Sequence, residues 1–163
     1  MTTSHPFSQP LCFTGHKASV IDITSFSHDS STIATSSEDN TLRLWDLRTG
    51  KTRQCIAGFG SDPINIIKHA PYDPNLIFGM TDTAILSFDL RKEGILVRDA
   101  HSTVYSLAEE EDEVGDFSSF DIHPTESLHF MAVGDDDGTI TILNTHTCEV
   151  TKKLSGVHSN VIG

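Results

Sequence analysis

The 163 residues carry 23 acidic against 11 basic side chains, a net charge of −12 on a chain that is 37% hydrophobic. That balance disfavours nucleic-acid phosphates and anionic membrane surfaces, which would be repelled, and leaves a basic protein partner open. No stretch approaches the roughly 20 apolar residues of a membrane-spanning helix, and the first ten have neither the basic nor the apolar region of a signal peptide, so a cytoplasmic or nuclear protein is expected.

Residues 1–10, with two Pro and several Ser and Thr, read as a flexible lead-in. Leu11-Cys12-Phe13-Thr14-Gly15-His16 then reads as a closing strand followed by a Gly-His turn. Strands are predicted at Val20–Ser25, Thr32–Ser36, Thr41–Asp46 and Lys51–Ala57, with Asp29-Ser30-Ser31 and Glu38-Asp39-Asn40 as turns, because Asp and Asn bond back to the nearby backbone. A second set is predicted at Ile64–Lys68, Leu76–Met80, Ala84–Asp89 and Ile95–Arg98, and a third at Phe117–Ile122, Phe130–Gly134, Thr139–Leu143 and Glu149–Leu154. Turn signals recur every eight to twelve residues or so, and helix has little support. The acidic run Glu109–Glu113 is expected to be a solvated loop between the second and third sets.

One frame recurs. Asp39 to Trp45-Asp46, Asp82 to Phe88-Asp89 and Asp137 to Leu143-Asn144 superpose in sequence without a gap, at periods of 43 and 55 residues. Repeats of about 40 residues with Gly-His early and Trp-Asp late mark WD-repeat β-propellers, and the chain from Leu11 onward resembles that family. Its first repeat carries Gly15-His16, Ile33-Ala34-Thr35-Ser36-Ser37, Asp39, Thr41 and Leu44-Trp45-Asp46. The expected fold is therefore all-β: a partial propeller over 11–163, with repeats near 15–56, 57–99 and 100–154 and the start of a fourth at 155–163. Propellers typically use roughly four to eight blades, so three blades and two stubs do not close a ring. The expectation is a fragment, a truncated product, or a chain completed by assembly.

The resemblance implies a structural hydrogen-bond network in the first repeat, made by Asp39, His16, Trp45 and either Thr35 or Ser37. A catalytic set drawn from the same residues would also need an oxyanion hole and a pocket, and the chain has no Gly-x-Ser-x-Gly turn. Nine His and three Cys (Cys12, Cys55, Cys148) show no metal-ligand spacing, and the cysteines read as small apolar residues at or near strands. Asp135-Asp136-Asp137-Gly138 lacks the alternating ligands and distal Glu of a Ca²⁺ loop. Gly58-Phe59-Gly60 lacks the Lys-Ser/Thr of a phosphate loop. No enzyme, metal or cofactor is expected.

The informative deviation is Trp45-Asp46-Leu47-Arg48, echoed by Phe88-Asp89-Leu90-Arg91. A WD repeat needs no Arg two residues after Trp-Asp, and a guanidinium there offers a planar fork to acidic or carbonyl acceptors. The pair resembles the WDxR box of substrate receptors that dock on the cullin-4 ubiquitin ligase adaptor. By that resemblance Arg48, Arg91, Asp46 and Asp89 are partner-binding residues. Thr49 departs from the box, where a basic residue often follows; Lys92 keeps it in the second copy. The alternative is a general WD scaffold binding basic peptides or proteins through acidic loops.

Overall fold

The computed structural model describes residues 11–92, 96–98, 101–107, 115–125 and 129–156, without the side chains of 96–98 and 101. The lead-in, the Glu109–Glu113 run and the start of a fourth repeat beyond Gly156 lie outside the described residues. Thirteen strands are described: β1 (Val20–Ser25), β2 (Thr32–Ser37), β3 (Thr41–Asp46), β4 (Lys51–Ala57), β5 (Ile66–His69), β6 (Leu76–Met80), β7 (Ala84–Asp89), β8 (Leu96–Arg98), β9 (His101–Ser106), β10 (Phe117–Ile122), β11 (Phe130–Asp135), β12 (Ile140–Asn144) and β13 (Val150–Leu154). They form three sheets, ordered β1-β2-β3-β4-β8, β5-β6-β7-β9 and β10-β11-β12-β13. Apart from β8, each is a four-stranded antiparallel meander, the unit of one propeller blade. No helix among the described residues is long and apolar enough to cross a membrane.

The expected fourth strand of the second blade is corrected. Residues 96–98 do not join that blade: β8 pairs in parallel with β4 of the first blade, Cys55↔Leu96 to Ala57↔Arg98. The position beside β7 belongs to β9, with Ala84↔Ser106 and Phe88↔His101. An apolar Ile95-Leu96-Val97 run made the earlier segment look like the blade's own strand. In the segment that takes that place, His101–Ser106, Val104 is buried.

The blades stack face to face. Ala34, Leu42, Leu44 and Ile56 of the first pack on Phe59, Ile64, Ile67, Ile77, Leu86 and Phe88. Phe78, Met80, Ile85 and Val104 of the second pack on Phe117, Phe120, Met131, Val133 and Leu143. Successive strand residues point to opposite faces, so Ile77 serves one interface and Phe78 the other. This explains why Leu76-Ile77-Phe78-Gly79-Met80 is a continuous apolar run: both faces of the middle blade are covered. Polar bonds fix the stacking. Ile67 N donates to Asp22 Oδ2 at 2.8 Å, Gln54 Nε2 to the Lys92 carbonyl at 2.6 Å, and Tyr72 OH to Thr145 Oγ1 at 2.6 Å. Lys68 Nζ meets Asp121 Oδ1 at 3.1 Å.

The constant frame holds on the β3, β7 and β12 side but not on the other. Asp39 and Asp137 sit mid-turn between Ser37 and Thr41 and between Asp135 and Thr139, whose N–H and carbonyl close the turn. In the second blade Thr81 N reaches the Ala84 carbonyl, so only Asp82 and Thr83 span the turn. The left-handed residue of the longer turns, Asn40 (φ 54°) or Gly138 (φ 81°), has no counterpart there. The pairs Ile33↔Trp45, Ile77↔Phe88 and Met131↔Leu143 therefore make Gly79, not Phe78, the counterpart of Thr35.

That slip produces an apolar version of the first blade's centre. A Cβ on Gly79 would lie 2.9 Å from Ile64 Cγ2 and 3.0 Å from Phe88 Cε2, whereas one on Gly134 would meet nothing nearer than 3.9 Å. Gly79→Val is therefore expected to lower stability by about 1–3 kcal/mol through overpacking, and Gly134→Val by less. Equal denaturation midpoints for the two variants would refute this account of the slot.

Candidate interaction site

The structure brings four of the five predicted network residues together, between the Gly-His turn, β2 and β3. Trp45 Nε1–H donates to Thr35 Oγ1 at 2.8 Å. Thr35 Oγ1 lies 2.6 Å from His16 Nε2, and His16 Nδ1 lies 3.2 Å from Asp39 Oδ2. The chain of donors is consistent when Nδ1 carries the ring hydrogen, the Thr35 hydroxyl accepting from Trp45 and donating to His16. Ser37 takes a different place: its hydroxyl accepts from Asp39 N at 3.1 Å and donates to the Ala18 carbonyl at 3.4 Å. Gly15 permits the approach, since a Cβ there would lie 2.9 Å from the Trp45 ring.

Asp39 is the hub. It accepts from Lys17 N at 2.8 Å, Thr41 N at 3.1 Å and Thr41 Oγ1 at 2.5 Å. Thr41 was missed as a partner, though a Thr two residues after a turn Asp is a signal for it. Burial opposes ionisation of Asp39, but the Thr41 hydroxyl, the Lys17 N–H and the His16 ring outweigh it and hold the carboxyl at about 2. The other blades keep the hub and lose the network. Asp82 accepts from Asn65 Nδ2 and Asp137 from Gly115 N, at 2.5 and 2.7 Å. Phe59 stands edge-on to Phe88 at 5.3 Å, as His16 does to Trp45 at 5.8 Å.

Arg48 and Arg91 stand on the opposite end of the blades, in the turns leaving β3 and β7. Each turn is tied to the loop after the blade's first strand: Leu47 N donates to the Ser31 carbonyl and Leu90 N to the Asn75 carbonyl, both at 2.8 Å. Asp46 Oδ1 accepts from Arg48 N at 2.8 Å and Asp89 Oδ1 from Arg91 N at 3.0 Å. The third blade keeps this turn with Asn144 and His146 in the same places, at 2.8 Å. The guanidinium groups differ. Arg48, whose side chain is 76% exposed, meets Asp46 loosely, with Nε 3.3 Å and Nη2 3.5 Å away. Arg91, 67% exposed, closes a two-point fork on Asp89 with both bonds at 2.8 Å, in which Nη1 takes no part. The backbone N–H of Arg48, then its side chain, lowers the Asp46 pKa; the Arg91 side chain lowers that of Asp89.

Among the described residues no group of three or more His, Cys, Asp or Glu could hold a metal ion. Cys55 is buried in β4, whereas Cys12 and Cys148 are exposed, so the apolar reading fits Cys55 alone. Cys148 sits in a turn at φ 60°.

Asp39→Ala is expected to cost on the order of 1–3 kcal/mol by stripping acceptors from buried donors. Because the folded carboxyl titrates below its ordinary value of 3.8, its stabilisation is complete above about pH 4 and lost as pH falls toward 2. The wild-type protein should therefore lose about 2 kcal/mol more than Asp39→Asn across that window. Parallel pH profiles of the two proteins in denaturant titrations would refute the hub assignment.

Residues 7–46 match the family described as WD domain, G-beta repeat. The chain is 30% identical over 149 residues to the WD repeat-containing protein 53 homolog of Dictyostelium discoideum, a span of 90% of this chain and 37% of that protein. It is 30% identical over 129 residues to the Periodic tryptophan protein 1 homolog of Drosophila melanogaster, covering 77% and 26%. With Restriction of telomere capping protein 1 of Candida tropicalis it shares 26% identity over 141 residues, 81% of this chain and 12% of that one. The chain thus spans well under half the length of these relatives. Its first repeat is a WD repeat, and the chain is built as consecutive blades of a WD-repeat β-propeller.

Proposed function

We propose that the chain is a non-catalytic interaction module that docks, through Arg48 and Arg91, on the adaptor of a cullin-4-type ubiquitin ligase and presents a target protein to it. The observation that carries this reading is the twinned turn: two Arg residues in equivalent places of adjacent blades, each held by the Asp two residues before it, each with its guanidinium largely in solvent. Asp46 and Asp89 orient the forks, and an acidic or carbonyl surface of the adaptor supplies the outer acceptors. The role calls for no group transfer, metal or cofactor, and for a cytoplasmic or nuclear location.

A general scaffold for basic peptides is the second reading. It draws support from the acidic turns at the other end of the blades, Glu38-Asp39, Asp82 and Asp135-Asp136-Asp137. Glu109–Glu113, outside the described residues, adds five carboxylates to that sequence balance.

Truncating an anchoring Arg at a protein interface can cost more than about 2 kcal/mol. Arg48→Ala with Arg91→Ala is therefore expected to reduce co-precipitation of the adaptor at least about tenfold, with thermal stability close to that of the wild type. Undiminished capture of the adaptor by the double variant removes the ligase reading, and the scaffold reading takes its place.

A further inference from the structure

The turn that carries Arg48 in the first blade and Arg91 in the second recurs in the third with a different side chain. In each, the N–H of the middle residue, Leu47, Leu90 or Thr145, donates at 2.8 Å to a carbonyl between the blade's first two strands, that of Ser31, Asn75 or His129. In each, the leading side chain, Asp46, Asp89 or Asn144, accepts from the N–H two residues on. His146 therefore holds in the third blade the place that Arg48 and Arg91 hold in the others.

Its ring is less encumbered than either guanidinium. Asp46 and Asp89 also engage the side chains of Arg48 and Arg91. Asn144 Oδ1 instead accepts from His146 N at 2.8 Å and Thr147 N at 3.0 Å, and an amide brings no charge to hold an imidazolium. His146 is exposed, and among the described residues its ring nitrogens enter no hydrogen bond or ion pair. The His129 ring lies 5.9 Å from it and stands edge-on to Tyr72 at 4.7 Å. The other titratable groups of the connection are Cys148, whose N–H donates to the Asn144 carbonyl, and Glu149, whose carbonyl accepts from Asn144 N.

The three turns are also fastened to one another. Gln54 of the first blade donates to the Lys92 carbonyl, beside Arg91, and Tyr72 of the second donates to Thr145 Oγ1, beside His146, both at 2.6 Å. Each later turn is thus tied to the blade before it, which spares a partner the cost of ordering the row.

We propose, resting on the ligase reading, that His146 is a third anchor of the surface formed by Arg48 and Arg91. Its imidazole donates to an acceptor on the adaptor, as a neutral N–H donor at neutral pH and as a charged one in mild acid. An imidazole ordinarily gains its proton near about pH 6.5, and a charged donor makes a hydrogen bond roughly twice as strong as a neutral one. The row then offers two permanent cations and a conditional third. A proton on His129 would oppose one on His146, so the two rings are varied separately.

Dissociation constants of the full chain for the purified adaptor, taken at about pH 6 and about pH 7.5, read the contribution of the ring. The unmodified chain is expected to bind about fivefold more tightly at the lower pH. His146→Ala should lose that gain, while His129→Gln keeps it. His146→Arg should bind at the higher pH as tightly as the unmodified chain does at the lower. An unmodified chain without the gain, a gain that survives in His146→Ala, or His146→Arg binding no more tightly than His146→Ala at the higher pH overturns the proposal. Arg48→Ala with Arg91→Ala at the higher pH judges the ligase reading separately. Undiminished binding by that double variant removes the reading and the third anchor with it, as does a failure of the unmodified chain to bind. Weakened binding there, beside a His146→Ala variant indistinguishable from the unmodified chain, removes the third anchor alone.

Discussion

A carboxylate in the turn between the second and third strands of each blade is the constraint on which the other features hang. The three hubs, Asp39, Asp82 and Asp137, accept respectively from Lys17 N, Asn65 Nδ2 and Gly115 N. In every case the donor lies in the segment that leads into the blade's own first strand. The carboxylate thus ties the entry of a blade to its central hairpin, a contact spanning some twenty residues, and leaves the entering segment positioned against the aromatic or aliphatic residue of the third strand. Hydrogen bonds to a charged acceptor are stronger than neutral ones, which suits a tie made by a single side chain near the end of a sheet.

What sits beneath that tie is negotiable. The first blade fills the slot with a polar relay from Trp45 through Thr35 to His16, and the second with Phe59, Gly79 and Phe88. A relay of buried polar groups demands that every member be satisfied; an apolar slot demands only volume. Gly79 supplies the volume, because any side chain there would strike Ile64 and Phe88. The two solutions explain how one architecture tolerates the loss of Trp, His and Thr together in adjacent repeats.

The sequence made the strands that bracket a turn easy to read and the connections hard. Val20–Ser25, Thr41–Asp46, Lys51–Ala57, Leu76–Met80, Ala84–Asp89 and Phe117–Ile122 fall where periodicity and turn residues predict them. Residues 96–98 did not, because the apolar Ile95-Leu96-Val97 run suits a place beside β4 or β7 equally, and the choice between them is made by tertiary pairing. The one-residue slip in the second blade was hidden for a related reason. An ungapped frame anchored on Asp82 and Phe88 is indifferent to how many residues cross the turn, and only backbone pairing counts them. Within the network, sequence narrowed the hydroxyl to Thr35 or Ser37. Alternation does not separate them, since both share a face with Trp45; position along the strand does, because Thr35 lies within reach of Trp45 Nε1 while Ser37 lies at the strand's end beside Ala18.

Topology also sorts charge. In an antiparallel meander the first and third connections of a blade share one end, and the second connection and the link to the next blade share the other. The first end carries Arg48, Arg91 and Lys92 together with Asp29, Asp46, Asp73 and Asp89, so acid and base nearly balance there, with Asp46 and Asp89 each engaged by an Arg. The second carries Glu38, Asp39, Asp62, Asp82, Asp116, Asp135, Asp136 and Asp137. Among the described residues the acidic excess is therefore weighted toward the second end, while Arg48, Arg91 and Lys92 stand at the first. A concentration of carboxylates at one end favours the approach of a basic partner to that end before contact.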